Sequence, residues 1–184
     1  MHLKPLPEIA ARRRSETAMP RRLITILAGL HILLLTACEN YDFKVNERVV
    51  YSPKPLFSDF EVADQALRTC LEQAIADNVV TAASGLTSLN CSHAGIEDLT
   101  GLSTFTGLAN LKLSSNRIRN LVEIASLTSL VDLYLDDNRI VDPVPLYQLP
   151  ALQVLDLSGN PAMQCPSAAG FLRLETVQLP GHCR

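Results

Sequence analysis

The sequence predicts an α/β solenoid, and three observations point to it. Leucine returns at 86, 108, 130, 152 and 174, every 22 residues, so one structural unit is repeated five times. Within each unit the fourth and sixth positions are mostly apolar around one outward residue, the period of a short strand with one face buried. Ahead of the first unit, residues 59–77 place apolar side chains at helical spacing, as a cover for the open end of a stack requires. The composition is 47% hydrophobic with no tryptophan, which leaves leucine, isoleucine, valine and alanine to fill layered coils. At 184 residues the chain has room for one domain of ordinary size, because a single core usually serves on the order of 100–200 residues.

The N-terminal element is an export signal. Leu23 to Ala37 is a 15-residue, almost wholly apolar run behind Arg21 and Arg22. It is shorter than the ~20 residues that span a bilayer, and small residues follow it rather than a charge cluster. Leu35-Thr36-Ala37-Cys38 resembles the lipobox of bacterial lipoproteins. That resemblance implies a signal peptide over 1–37, lipidation of Cys38 and a membrane anchor through the lipid; a cysteine thiolate is nucleophilic enough to accept the lipid as a thioether. In such lipoproteins an aspartate after the cysteine favours inner-membrane retention, so Glu39 points to the outer membrane of a cell envelope. An uncleaved anchor helix is the alternative. Met19 begins a more typical precursor, which makes 1–18 a candidate mis-assigned start. Residues 38–57 mix charges with Pro53 and Pro55 and show no period, and are read as a tether in which Lys44 to Tyr51 can pair as an edge strand.

Residues 58–79 form the expected helical cap. Val62, Ala66, Leu67, Cys70, Leu71, Ala74 and Ile75 share one face, with Ser58 or Asp59 as N-cap and Glu61 near the first turn.

The repeats occupy 86–173 as four full copies, with a truncated copy and C-terminal cap over 174–184. Their frames run from Leu86-xx-Leu89-x-Cys91 through Leu108-xx-Leu111-x-Leu113, Leu130-xx-Leu133-x-Leu135 and Leu152-xx-Leu155-x-Leu157 to Leu174-xx-Val177-x-Leu179. This pattern resembles the leucine-rich repeat, LxxLxLxxNxI, in the 22-residue form of internalin-like proteins. The resemblance covers about 58–184 and implies a horseshoe segment with short parallel strands on its concave face. Asn116, Asn138 and Asn160 hold the ninth position of the central copies, where stacked amides can satisfy backbone groups leaving each strand. Ala94 and His182 replace asparagine in the end copies, so the ladder should stop there. Ile96, Ile118 and Ile140 turn back into the core, as do Leu99, Leu102, Phe105, Leu121, Ile124 and Leu127. The return is too short for a long helix, so turns and 3₁₀ segments are expected, thinned in the third copy by Pro143 and Pro145.

Four cysteines follow Cys38 and allow three pairings. Coils stack ~4.8 Å apart, which separates Cys91 from Cys183 by roughly 20 Å, whereas a disulfide needs Cα atoms within ~7 Å. Cys70–Cys91 and Cys165–Cys183 are therefore the expected pairs, each fastening a cap to a coil. The alternative leaves Cys91 as a free core residue in place of leucine.

No catalytic constellation is visible, and an enzyme is not expected. Cys91, His93, His182 and Cys183 lie too far apart across the stack to share a metal or a proton. No cofactor, metal or phosphate loop is read from the sequence, and clustered aspartates lack an EF-hand spacing. Setting aside residues 1–37 leaves ten basic and seventeen acidic side chains, a net −7 that argues against nucleic acid. The resemblance implies that outward strand residues meet a partner. Asn90, Asn110, Lys112, Asp132, Tyr134, Asp136, Asp137 and Asp156 are the candidates, an acidic patch around one tyrosine suited to a basic peptide or protein loop. The expected function is a monomeric, membrane-anchored protein-interaction module; the alternatives are an envelope-assembly lipoprotein docking one resident partner, or a glycan-binding surface protein. Aspartates that merely cap turns or keep the surface soluble would look the same in the sequence.

Overall fold

The structure, a computed structural model, describes residues 43–45, 48–51, 54–167 and 170–183. The expected export segment 1–37 and the lipidation candidate Cys38 lie outside the described residues. No helix among the described residues is long and apolar enough to cross a membrane. The chain divides into two compact units, Met1–Pro53 and Lys54–Arg184. In the first, strands β1 (Phe43–Val45) and β2 (Arg48–Tyr51) pair antiparallel with each other, and the register shifts between Phe43 and Lys44. The second unit starts at Lys54, ahead of the boundary at 57/58 read from the sequence, because Phe57 already belongs to it. The Phe57 N–H donates to the Val80 carbonyl at 2.8 Å, and its ring lies 5.9 Å from Phe60 and 6.0 Å from Phe105.

The repeats build one parallel sheet. Strands β3 (Ser88–Asn90), β4 (Asn110–Lys112), β5 (Asp132–Tyr134), β6 (Val154–Asp156) and β7 (Thr176–Gln178) pair in sequence order, each residue opposite the one 22 positions on. Register is strict because the middle residue of each strand points inward. Leu89, Leu111, Leu133 and Leu155 are buried, and a slip of one residue would expose every one of them. Ile96, Ile118 and Ile140 close each coil from the far side, and Leu102, Phe105, Leu121, Ile124 and Leu127 fill the return. Three-ten turns at Leu102–Thr104, Val122–Ser126 and Val144–Gln148 carry the chain back. The third return is not thinned by its prolines as expected, being as long as the second. Pro143 occupies the N-cap and Pro145 the first turn, where a missing N–H breaks no intrahelical bond.

The cap differs from the sequence reading in its first six residues. Helix α1 spans Gln65–Asp77 rather than beginning near 59, and its N-cap is Asp64, not Ser58 or Asp59, so Glu61 lies outside its first turn. Phe60 and Val62 are spent in an extended stretch, buried against the first coil, and the Ala63 N–H donates to the Thr100 carbonyl at 3.2 Å. The helix buries Leu67, Leu71 and Ile75, worth on the order of 1.5–3 kcal/mol each relative to exposure. Close approach of this extended stretch explains Gly101, whose φ is +94° and where a Cβ would stand 2.0 Å from the Glu61 carbonyl oxygen.

One local feature recurs with the repeat but was not read from it. His93, Ser115, Asp137 and Gly159, 22 residues apart, all take positive φ, of 61°, 57°, 54° and 69°. Each sits at the corner where the chain leaves its strand. Aspartate and glycine tolerate this conformation better than most residues, and that compositional bias was the signal available.

Candidate functional site

The outward residues of the five strands form columns across the sheet. Register aligns Ser88, Asn110, Asp132, Val154 and Thr176 in one column and Asn90, Lys112, Tyr134, Asp156 and Gln178 in the next. A third follows from backbone bonds between the corners: His93, Ser115 and Asp137 donate to the carbonyls of Ser114, Asp136 and Ser158 at 2.9–3.0 Å. The sheet therefore brings together the eight residues singled out from the sequence, with Asn90, Lys112 and Asp137 exposed and the other five half-exposed.

Their surroundings divide them into two groups. The Asp136 Oδ1 accepts from the Ser114 hydroxyl at 2.5 Å, and the Asp156 Oδ1 accepts from the Ser158 amide and hydroxyl at 2.9 and 2.7 Å. These two carboxylates are partly engaged in holding corners. Asp132 and Asp137 make no side-chain hydrogen bond to another described residue. Tyr134 is flanked within its column by Lys112, whose Nζ lies 5.0 Å from the ring centroid. At an exposed site such a cation–π contact is worth about 0.5–1 kcal/mol, enough to orient both side chains without sequestering either.

Behind this face the asparagine ladder holds the coils together. Asn116 Nδ2 donates to the Cys91 and Leu113 carbonyls at 2.9 Å, while its Oδ1 accepts from the Gly95 and Ile96 amides at 2.8 and 3.0 Å. Asn138 repeats the pattern on Leu113, Leu135 and Ile118, and Asn160 on Leu135, Leu157 and Ile140. Each amide bridges its own coil to the preceding one. No buried side-chain nitrogen or oxygen among the described residues lacks a partner.

A cleft of about 670 Å³ lies at the α1 end of the sheet face, between α1 and β3. Thr69, Gln73 and Asp77 line one wall and Ser88 and Asn90 the other, with Cys70 between them. Its β3 wall is the unpaired edge of the sheet. The Thr87 carbonyl and the Cys91 N–H bond towards β4, so by strand alternation the backbone groups of Ser88 and Asn90 point to the cleft. Sequence reading missed this cleft, because nothing in a single coil shows how the cap helix stands beside it.

Two attachments fix the cap. The first is the disulfide between Cys70 and Cys91, with Cα atoms 5.9 Å apart; at the other end of the stack Cys165 and Cys183 form a separate bridge at 5.2 Å. The Asp64 carboxylate is the second attachment. Its Oδ1 accepts from Ala66 and Leu67 at the start of α1, and its Oδ2 accepts from the Glu97 and Asp98 amides of the first coil at 2.9 and 3.3 Å. Partial burial alone would raise the Asp64 pKa, but the four backbone donors outweigh it and hold the carboxyl below its ordinary 3.8. On the return side, the Ser103 hydroxyl and amide and the Gly101 amide hold the Glu123 carboxyl below its ordinary 4.5, against burial and the nearby Asp98 charge.

Neither a protein-family profile nor a curated protein sequence matches the chain. Solved structures do. Internalin C2 of Listeria monocytogenes is 28% identical over 52% of this chain and 44% of its own, with a TM-score of 0.45. Another internalin of that organism, InlF, is 21% identical over 64% of this chain and 36% of its own, with a TM-score of 0.56. The functional domain of the Listeria monocytogenes protein InlJ, which includes a cysteine ladder, is 25% identical over 53% and 26%, with a TM-score of 0.40. This chain thus spans less than half the length of each of these three structures. The superposition on InlF, joined to the 22-residue register, the asparagine ladder and the parallel sheet, shows an internalin-like leucine-rich-repeat fold in the repeats.

Proposed function

We propose that this chain is a protein-docking module, and that the outward face of its sheet, extended at one end by the cleft beside α1, receives the partner. The observation that carries the reading is Tyr134. It stands half-exposed at mid-sheet, oriented by Lys112, with Asp132 beside it on the same strand and Asp156 next in its column. A tyrosine in that setting offers a large contact area at low rotamer cost, and the surrounding carboxylates select for basic side chains. The partner is read as a basic peptide or protein loop. The surface is read as binding rather than catalytic, since the serine hydroxyls that meet carboxylates on it, Ser114 with Asp136 and Ser158 with Asp156, are spent on bracing the corners.

The N-terminal apolar run and the lipobox-like Leu35-Thr36-Ala37-Cys38 support a lipid anchor at Cys38 that tethers the module to a cell-envelope membrane, the outer membrane being the favoured one. The mass of the mature protein tests the anchor independently of docking.

Docking is tested by capture from detergent-solubilised envelopes with the unaltered chain and with Asp132→Lys. Asp132 makes no side-chain hydrogen bond to another described residue, so the fold should be unaffected. Loss of a partner captured by the unaltered chain supports the reading. Unchanged capture by Asp132→Lys and by the triple reversal at Asp132, Asp136 and Asp156 would falsify it.

A further inference from the structure

Among the described residues, one set of three metal-ligating side chains converges. The ligand atoms of Cys165, His182 and Cys183 lie within 4.8 Å of one another, although 17 residues separate the first from the second. The two cysteines are joined as a disulfide. Two observations distinguish this bridge from the other. His182 Nε2 lies 2.9 Å from the Met163 carbonyl oxygen. A carbonyl can only accept, so Nε2 is the donor and Nδ1 is the nitrogen left to ligate. An imidazole held in this way by a backbone carbonyl has the orientation and tautomer that metal-bound histidines commonly show. The second observation is access. Cys165 and His182 are exposed and Cys183 is half-buried, whereas Cys91 in the other bridge is 2% exposed. A reductant in solution therefore reaches the C-terminal bridge first.

We propose that reduction of Cys165–Cys183 by a dithiol opens a binding site for a zinc-class divalent ion, with both thiolates and His182 as ligands and water in the fourth position. One thiolate of the dithiol attacks a sulfur of the bridge, and its second thiol releases the mixed disulfide. Two electrons and two protons thereby pass to Cys165 and Cys183 while the dithiol becomes a disulfide. Metal binding then expels the two thiol protons to solvent. Little movement is needed: Zn–S bonds of about 2.3 Å and Zn–N bonds of about 2.0 Å in a tetrahedron put the ligand atoms roughly 3.5–3.8 Å apart. Backbone bonds keep both arms in place once the bridge is open, because the Gln164 N–H donates to the Val141 carbonyl at 2.8 Å and the Cys183 N–H to the Pro180 carbonyl at 2.9 Å. The site is independent of the docking surface and stands or falls without it.

The test uses the full chain in detergent micelles, reduced with a phosphine and titrated with cobalt(II) alone. One cobalt per reduced chain is expected, with a thiolate-to-cobalt charge-transfer band and the visible bands of a tetrahedral ion, both absent from the oxidised chain. Mapping of alkylated cysteines should show that the metal shields Cys165 and Cys183 but not Cys70 and Cys91, which locates the site without any variant. His182→Ala should weaken binding at least tenfold. Absence of the charge-transfer band in the reduced chain, shielding confined to Cys70 and Cys91, or unchanged affinity in His182→Ala would each overturn the proposal.

Discussion

Replacing Asn138 with alanine removes the central rung of the amide ladder, and the structure allows the cost to be worked out. The amide donates to the Leu113 carbonyl at 2.9 Å and the Leu135 carbonyl at 3.1 Å, and it accepts from the Ile118 amide at 3.0 Å. The residue is 4% exposed, so water does not readily replace these bonds. The Ile118 N–H would lose its side-chain partner, at about 1–3 kcal/mol before relaxation, while the Leu113 and Leu135 carbonyls would each lose one of two amide donors and keep the other, from Asn116 and Asn160, at about 0.5–1 kcal/mol each. Some relaxation is available, since a small void can admit a water molecule, and an overall loss of about 2–4 kcal/mol is expected. Domains of this size are stable by only about 5–15 kcal/mol, so the variant should unfold at a much lower urea concentration. Far-ultraviolet circular dichroism during urea titration measures the shift, and an unchanged slope confirms that the same surface unfolds. Asn110→Ala is the control, because that side chain is half-exposed on the sheet face and should cost no more than about 0.5 kcal/mol. A loss below about 1 kcal/mol for Asn138→Ala would refute the view that the ladder couples neighbouring coils.

Three further outcomes follow from the cap. Val79 has φ of 51° just beyond α1 and is 68% exposed, while the Val80 N–H closes the helix end on the Ile75 carbonyl at 3.0 Å; Val79→Gly should raise stability by about 0.5–1 kcal/mol, relief of left-handed strain less the chain entropy of glycine, and an unchanged urea midpoint would count against that strain. Replacing Cys70 and Cys91 by alanine should lower stability by about 2–4 kcal/mol and make the cap the first segment cut by protease, a result that proteolysis beginning elsewhere would contradict. Acid should weaken the unit through Asp64 and Glu123. Both carboxyls titrate lower in the folded state than their ordinary 3.8 and 4.5, so their contribution is complete above about pH 4.5 and is lost as pH falls through the folded values. Solvent screening keeps this effect small. Urea midpoints measured from neutral pH to about pH 2.5 should fall, and fall less in Asp64→Asn, whereas a flat profile would contradict the assignment.

How far the sequence reached depended on the range of the interaction involved. The coils, their strands and their inward leucines were legible because one 22-residue unit carries its own instructions and stacking repeats them. The asparagine ladder was legible for the same reason, since every rung meets the coil before it. The helix start was misplaced because Phe60 and Val62 satisfy a helical pattern as well as an extended one, and only burial against the first coil separates the two. Asp64 would pass for an ordinary surface aspartate, as its second pair of partners, Glu97 and Asp98, lies more than thirty residues away. Lys112 over Tyr134 needed only the register to be foreseen.

By itself the sequence determined the repeat, the inward face, the outward columns and the cysteines near each end of the stack, because periodicity converts position in the chain into position in a coil. Only the tertiary structure decided where the repetition breaks: the cleft between α1 and β3, the corner bonds that engage Asp136 and Asp156, and the approach of His182 to the Cys165–Cys183 bridge. These features arise where a non-repeating segment folds back on a repeating one. The contacts there are set by three-dimensional packing between unlike elements, and no spacing along the chain encodes them.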